Sequence, residues 1–353
     1  MVPGGARVSG YGTFSASAFM RRRSRRPRSH WPRWLLLLLL IALGAAALVF
    51  WPSQDFNPHK VAIDVPQTDR RVLALLDSIA SANPEVSLNL LRFGAIVQGD
   101  FVVPSGYYEI APSAPWWRSL HRLRMGYETP RRLVVRAYQG QGSLVRHLAS
   151  VMHPSPSEFD VALFQGDSCV PLLPNTYEVY ASLSSQEFAA RMGREFDAFW
   201  NANRMESAAA LKLTRYEVTI LASIVQAESK EPAEWTRIAG VYLSRIRKGM
   251  RLEADPTVVF AVLDRQLAPE PIRRVTGSML RLEHPYNTYR SKGLPPGPLA
   301  TVHPPVIDSV LAARPNGELF FCANPSKPGF HLFAKTYAEH LAYRKRYLRF
   351  ITK

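Results

Sequence analysis

Cysteine is nearly absent. The 353 residues hold only Cys169 and Cys322, too few for a disulfide scaffold and not spaced as a zinc-binding pair. The two could pair in an exported domain, and a pair of separate buried thiols is the equal alternative. No Gly-rich phosphate loop and no Gly-x-Ser-x-Gly elbow occurs, which removes P-loop nucleotide chemistry and the nucleophile pattern of the α/β-hydrolases. His303, His331 and His340 are scattered too widely to read as a metal site, so neither a metal nor another cofactor is expected. Acidic residues are missing from the first 51 positions, where Arg7, Arg21, Arg22, Arg23, Arg25, Arg26, Arg28 and Arg33 lie.

Those eight arginines account for half of the net charge of +16. Over the rest of the chain Lys and Arg alternate with Glu and Asp, as on an ordinary solvated surface. A polyanion-binding track is not visible, and nucleic acid is not an expected partner. The basic signal concerns topology. Directly after it comes the uncharged run WLLLLLLIALGAAALVFW, Trp34 to Trp51. As a helix it would extend about 27 Å, close to the hydrocarbon thickness of a bilayer. Tryptophans at both ends suit the membrane interfaces, and the positive-inside rule keeps residues 1–33 in the cytoplasm and exports the chain beyond Trp51. A cleaved signal peptide is the competing reading, but the run ends in Val-Phe-Trp-Pro, a poor cleavage site.

The expected fold class is α+β, in two exported pieces behind the apolar segment. Residues 60–140 alternate between strand-like and helical patterns. VAIDV, FGAIVQGDFVV, SGYYEIAP and RRLVVRAY read as strands; Asp69–Ala82 and PWWRSLHRLRMG read as helices, the latter stopped near Gly126. Trp116 and Trp117 suit either a core or a sugar-stacking platform. From Ser143 to Thr214 the pattern is mostly helical, interrupted by CVPLLPNTYEVY as a loop entering a strand.

Candidate chemistry lies beyond residue 215. Val218, Leu221 and Val225 recur at helical spacing, and Glu228 comes next on the same face. An inward carboxylate is costly to keep ionised. It is either paired structurally or held near neutral so that it can give and take a proton. Glu231-Pro232 ends that helix, and Ala233–Lys248 forms a second, with Ile238, Val241, Tyr242, Arg245 and Ile246 on related faces and Gly249 as its stop. Asp255-Pro256-Thr257 reads as a helix start with Asp255 as N-cap, a second catalytic role or a substrate contact being the alternatives. HPYNTYRSKGLPPGPLAT, residues 284–301, places Tyr286, Asn287, Thr288 and Tyr289 before a stiff proline-rich turn. It suits a groove for a polar ring-shaped ligand, or an ordinary turn region.

LPNTYEVY (173–180), LASIVQAES (221–229), IAGVYLSRIRKGMRLEADPTV (238–258), YNTYRSKGLPPGPLA (286–300) and FFCANPSKPGFHLFAKTYAEH (320–340) occur in this order. Together they resemble the endolytic murein transglycosylases, YceG-like membrane-anchored enzymes that cut nascent peptidoglycan strands. The resemblance implies a cytoplasmic tail (1–33), a transmembrane helix (34–51), a small LysM-like α+β module (60–140) and a larger α+β catalytic domain (141–353). It places the chain in the inner membrane as a single-pass protein, with its catalytic domain on the periplasmic side beside glycan-polymerising synthases.

Carried over by position, the family's catalytic glutamate falls on Glu228. Many relatives have a second glutamate where this chain has Gln226. The resemblance implies that Glu228 protonates the MurNAc–GlcNAc glycosidic oxygen and then deprotonates the muramic C6 hydroxyl, leaving a 1,6-anhydro end. Tyr286, Asn287, Thr288 and Tyr289 would position the sugar, Gln226 and Ser229 would orient the carboxylate, and Arg251 and Asp255 would contact substrate. The rivals are a non-catalytic peptidoglycan-binding scaffold and a hydrolase pairing Glu228 with Asp255 or Glu253.

Overall fold

The structure is a computed structural model and describes residues 33–50, 60–66, 70–84, 88–111, 114–137, 140–164, 170–268, 271–272 and 274–351. Residues 1–32, Trp51, the linker 52–59 and Cys169 lie outside the described residues. The chain separates into two compact units, Met1–Trp51 and Pro52–Lys353. The first contains helix α1 (Arg33–Phe50), in which Leu36, Leu37, Leu38, Leu39, Leu40 and Leu43 are exposed. Among the described residues no helix is long and apolar enough to cross a membrane. The expected 34–51 span ends in residues whose side chains lie outside the described ones.

The second unit buries three apolar clusters in chain order. Strand β1 (Val61–Val65) begins the first, followed by β2 (Arg70–Arg71), α2 (Val72–Ala82), α3 (Asn89–Val97), β3 (Val102–Val103), β4 (Gly106–Ile110) and α4 (Trp116–Met125). β1 and β4 pair antiparallel, Val61 opposite Ile110 and Val65 opposite Gly106. Alternation puts Val61, Ile63 and Val65 inward, against Leu76, Leu91, Leu120 and Leu123. Gly126 ends α4 at φ 67°, a left-handed turn that glycine adopts without steric cost.

One expected strand is a helix. The Phe93–Val97 part of FGAIVQGDFVV belongs to α3, and only Val102–Val103 is extended. Leu91, Gly94 and Ala95 form its buried face. A Cβ at position 94 would run into the Trp116 ring and Leu120, so the small residues let α4 approach. That long-range packing overrides the β-propensity of Phe93, Ile96 and Val97. Trp116 accordingly packs against the first cluster.

The second cluster is built by β5 (Arg131–Val135), α5 (Gln141–Ala149), α6 (Pro156–Phe164), β6 (Asn175–Val179) and α7 (Ser185–Phe199). β5 pairs antiparallel with β6, Leu133 opposite Tyr177, so the expected boundary between 140 and 141 falls between the two strands of one sheet. Phe159 and Phe188 meet edge to face at 5.7 Å in its core.

The third and largest cluster is helical. It contains α8 (Ala202–Leu211), α9 (Arg215–Glu228), α10 (Pro232–Arg247), α11 (Asp255–Asp264), the short α12 (Gly277–Leu280) and α13 (Pro304–Ala312). A hairpin, β7 (Phe320–Ala323) and β8 (His331–Ala334), and the final helix α14 (Tyr337–Ile351) complete it. Thr214 and Glu217 close a reciprocal capping box at the start of α9. From Val218 to Gln226 every residue of α9 is buried, because α10, α11 and α13 surround it. A helix buried on all sides positions its last residue rigidly, and that residue is Glu228.

Candidate active site

α9 ends at Glu228 because Ser229 turns extended (φ −139°, ψ 136°), and Pro232 then opens α10. A carboxylate at a helix C-terminus faces the negative end of the backbone dipoles, which disfavours its ionised form. Glu228 is partly accessible, through faces that open on two cavities, and protein packs the rest. Burial is the main force on it and pushes its carboxyl up to about 7. The hydrogen bond from Tyr242 pulls the other way, and the negative charge of Asp255 adds to the rise. The group is therefore poised to give and take a proton near neutral pH.

Tyr242 Oη donates to Glu228 Oε1 at 2.7 Å. Burial, then the neighbouring Glu228 charge, holds that phenol well above its ordinary range, so it remains a donor. The tyrosine lies on the buried face of α10, and Arg245 comes one turn later. Arg245 Nη1 donates to the Leu252 carbonyl at 2.8 Å and to Glu253 Oε2 at 3.0 Å, while its Nε reaches the Leu319 carbonyl at 2.7 Å. One guanidinium thus ties the 251–254 loop and the start of the β7–β8 hairpin to α10. Glu253 sits at φ 52°, a conformation costing a non-glycine residue about 1 kcal/mol or more.

Asp255 is not the N-cap that its Asp-Pro context suggests. Ala254 is the cap residue, with no cap bond from a side chain of its own. Its amide donates instead to Thr288 Oγ1 at 3.0 Å, and Thr288 Oγ1 lies 2.8 Å from Thr257 Oγ1. Thr257 gives its single proton to the Ala254 carbonyl at 2.7 Å, so Thr288 must donate to Thr257. Relieved of capping, Asp255 Oδ1 accepts from Tyr289 Oη at 2.6 Å. Burial first and this bond second push the Tyr289 phenol up.

The 286–289 segment therefore divides. Tyr289 lines a cavity with Glu228 and Asp255. Asn287 is fully buried behind it: Nδ2 donates to the Leu280 and Leu282 carbonyls at 3.1 and 2.7 Å, and Oδ1 accepts from the Tyr289 amide at 3.0 Å. Asn287 and Thr288 shape the loop that presents Tyr289. Tyr286 stacks on Phe260 at 4.2 Å and faces a different, smaller cavity.

Gln226 Nε2 donates to the Thr301 carbonyl at 3.0 Å, and its Oε1 accepts from the His303 amide at 2.8 Å. An amide supplies both a donor and an acceptor here, which a carboxylate cannot. Ser229 fixes the turn: its Oγ accepts from the Glu231 amide at 3.1 Å, and its carbonyl accepts from Trp235 Nε1 at 2.9 Å. Arg251 contributes only a carbonyl to the network, accepting from Arg245 at 3.1 Å, and its side chain is exposed.

Glu228 and Asp255 border both cavities. One, of about 270 Å³, has an aromatic wall that includes Tyr242, Tyr289, Phe320 and Tyr337. The other, of about 1070 Å³, continues past Gln226 and Phe260. The sequence alone assigns Tyr242 and Arg245 no role, although a Tyr and an Arg one turn apart inside an apolar stripe are a signal. The aromatic wall from β7 and α14 gives no local signal at all.

Residues 68–346 match the model of the YceG-like family. An endolytic murein transglycosylase of Bacillus subtilis (strain 168) is 32% identical over 137 residues, 39% of this chain and 36% of that protein. An endolytic murein transglycosylase of Streptococcus pneumoniae serotype 2 (strain D39 / NCTC 7466) is 23% identical over 175 residues, 48% of this chain and 30% of that protein. Each match spans about a third of the relative's own length. Among solved structures, a yceG-like protein from Listeria monocytogenes superposes with a TM-score of 0.51 at 20% identity, over 81% of this chain and 99% of that one. It shares the fold.

Proposed function

This chain belongs to the YceG-like family, and from that premise we propose that it is an endolytic peptidoglycan lytic transglycosylase with Glu228 as its acid and base. The observation that carries the reading is a carboxyl held at about 7, oriented by Tyr242 and bordering two cavities. Neutral Glu228 gives its proton to the glycosidic oxygen between N-acetylmuramic acid and N-acetylglucosamine as the bond to C1 breaks. The muramic C6 hydroxyl closes on C1, and its proton passes to the Glu228 carboxylate. Electrons and protons balance without water, and the product is a 1,6-anhydro end. Tyr289, fixed by Asp255 and lining the cavity wall, is placed to contact the sugar.

Asp255 and Glu253 line the same cavity as Glu228, which favours a hydrolase with a second carboxylate as the alternative. Mass spectrometry of strands incubated with the full-length chain separates the two, since an anhydro end is lighter than a hydrolysed end by one water. Anhydro products from wild type and none from Glu228→Gln are expected. Hydrated ends, or an active Glu228→Gln, would overturn the assignment.

The arginine-rich N-terminus and the apolar run 34–51 support a single-pass anchor in the inner membrane, with residues 60–353 on the periplasmic side, where synthases supply nascent strands. The order β1–β2–α2–α3–β3–β4, in which the paired strands β1 and β4 flank two helices in sequence, supports reading the first cluster as a LysM-like glycan-binding module.

A further inference from the structure

The larger cavity beside Glu228 carries charge of the opposite sign on another part of its wall. Arg274, in the segment before α12, and Arg344, from α14, both line it. Neither guanidinium has a hydrogen bond or ion pair with any described residue. Elsewhere in this unit arginines find carboxylates: Arg237 meets Glu318 at 2.6 Å and Arg204 meets Asp308 at 2.8 Å. Apart from Glu228 and Asp255 the cavity lining holds no acidic residue. Tyr337, His340, Arg344 and Tyr347 recur at helical spacing, so one face of α14 runs past the aromatic cavity and then along the cationic one. The two cavities that Glu228 borders therefore differ: the smaller has the aromatic wall, and the larger carries Arg274 and Arg344.

A neutral sugar face suits aromatic rings, whereas two exposed arginines on the wall of one cavity, neither engaged by a described carboxylate, suit a carboxylate, which arginine binds bidentately. Resting on the function proposed above, we propose that Arg274 and Arg344 form a subsite for the anionic substituent that muramic acid carries, a carboxylate on the lactyl ether or on the peptide stem attached to it. The two residues then determine specificity: they select muramyl-containing strands over neutral glycans, and they fix which way the strand lies across Glu228.

The test is binding by the full-length Glu228→Gln chain in detergent at low ionic strength, read by fluorescence anisotropy of end-labelled strands. Three probes are compared: peptide-free strands with free lactyl carboxylates, the same strands with those carboxylates amidated, and strands bearing peptide stems. The parent is expected to bind free-carboxylate strands at least about tenfold tighter than amidated ones. Adding Arg274→Gln and Arg344→Gln should collapse that ratio to near one, while Arg274→Lys with Arg344→Lys should keep part of it. If stem-bearing strands alone are preferred over amidated ones, the carboxylate bound is that of the stem. An unchanged ratio in the double Gln variant, or no preference in the parent, overturns the subsite. Cleavage by the chain with Glu228 intact is scored separately, so a failed subsite and a failed transglycosylase reading give different results.

Discussion

At the scale of the residue, Glu228 depends on two opposed effects. Burial lifts its carboxyl, and the Tyr242 hydroxyl at 2.7 Å restrains the rise by stabilising the anion. The proposed mechanism requires the protonated acid in its first step, so the rate should fall as pH rises through about 7. Tyr242→Phe removes the bond that favours the charged form. The falling limb of kcat/KM should therefore move to higher pH, by about one unit, since one unit is about 1.4 kcal/mol and such a bond is worth about that or more. A pH–rate profile of both proteins checks this, and a limb that stays or moves toward acid would contradict the proposed role. The carboxylate itself is legible in the sequence, because an apolar stripe ends on it. Its partner is not, because Tyr242 stands 14 residues away on the next helix and only the turn at Ser229 brings them together. Asp255 is legible as a helix start but not as an uncapped one. The residue that takes the capping role, Thr288, lies 34 positions beyond Ala254.

At the scale of the element, α9 and α10 are readable from periodicity and from Pro232 and Gly249, since those signals are local. α3 is not, because its reason for being helical is the approach of α4 over Gly94 and Ala95. The same kind of contact joins α10 to the end of α13. A Cβ on Gly240 would sit 2.9 Å from the Arg314 carbonyl oxygen. Alanine gains up to about 1 kcal/mol over glycine in a helix interior, but forcing backbones apart costs about 1–3 kcal/mol. Gly240→Ala should therefore be net destabilising. A methyl group added at Gly193 in α7 would meet nothing within 4 Å, so Gly193→Ala should stabilise by about 0.5–1 kcal/mol. Urea unfolding measures both, as midpoint shifts of opposite sign with unchanged slope. A stabilising Gly240→Ala would mean that the contact of α10 with Arg314 yields to a methyl group, and a destabilising Gly193→Ala would mean that position 193 has no room for one.

At the scale of the whole molecule, the α+β class and the placement of candidate chemistry beyond residue 215 are visible in local patterns. The cleft is not. Its walls come from the end of α9, the 251–255 loop, Tyr289, the β7–β8 hairpin and α14, separated by more than a hundred residues, and no window of sequence contains them together. What the assembled site adds is a second cavity bordered by Glu228, so that the carboxyl lines one space of about 270 Å³ and another of about 1070 Å³. A site closed at one end would hold a strand terminus and release short fragments of one size. If glycan occupies both cavities, the strand runs past Glu228 and each cut falls at an interior bond. Incubation of long uncrosslinked strands with the full-length chain should therefore lower the mean strand length early, with a broad spread of sizes and little accumulation of disaccharide. Size-exclusion chromatography of radiolabelled strands over time reads this directly. Steady release of disaccharide from otherwise full-length strands would mean that one of the two cavities is not occupied by glycan, and the endolytic reading would fall while Glu228 kept its role.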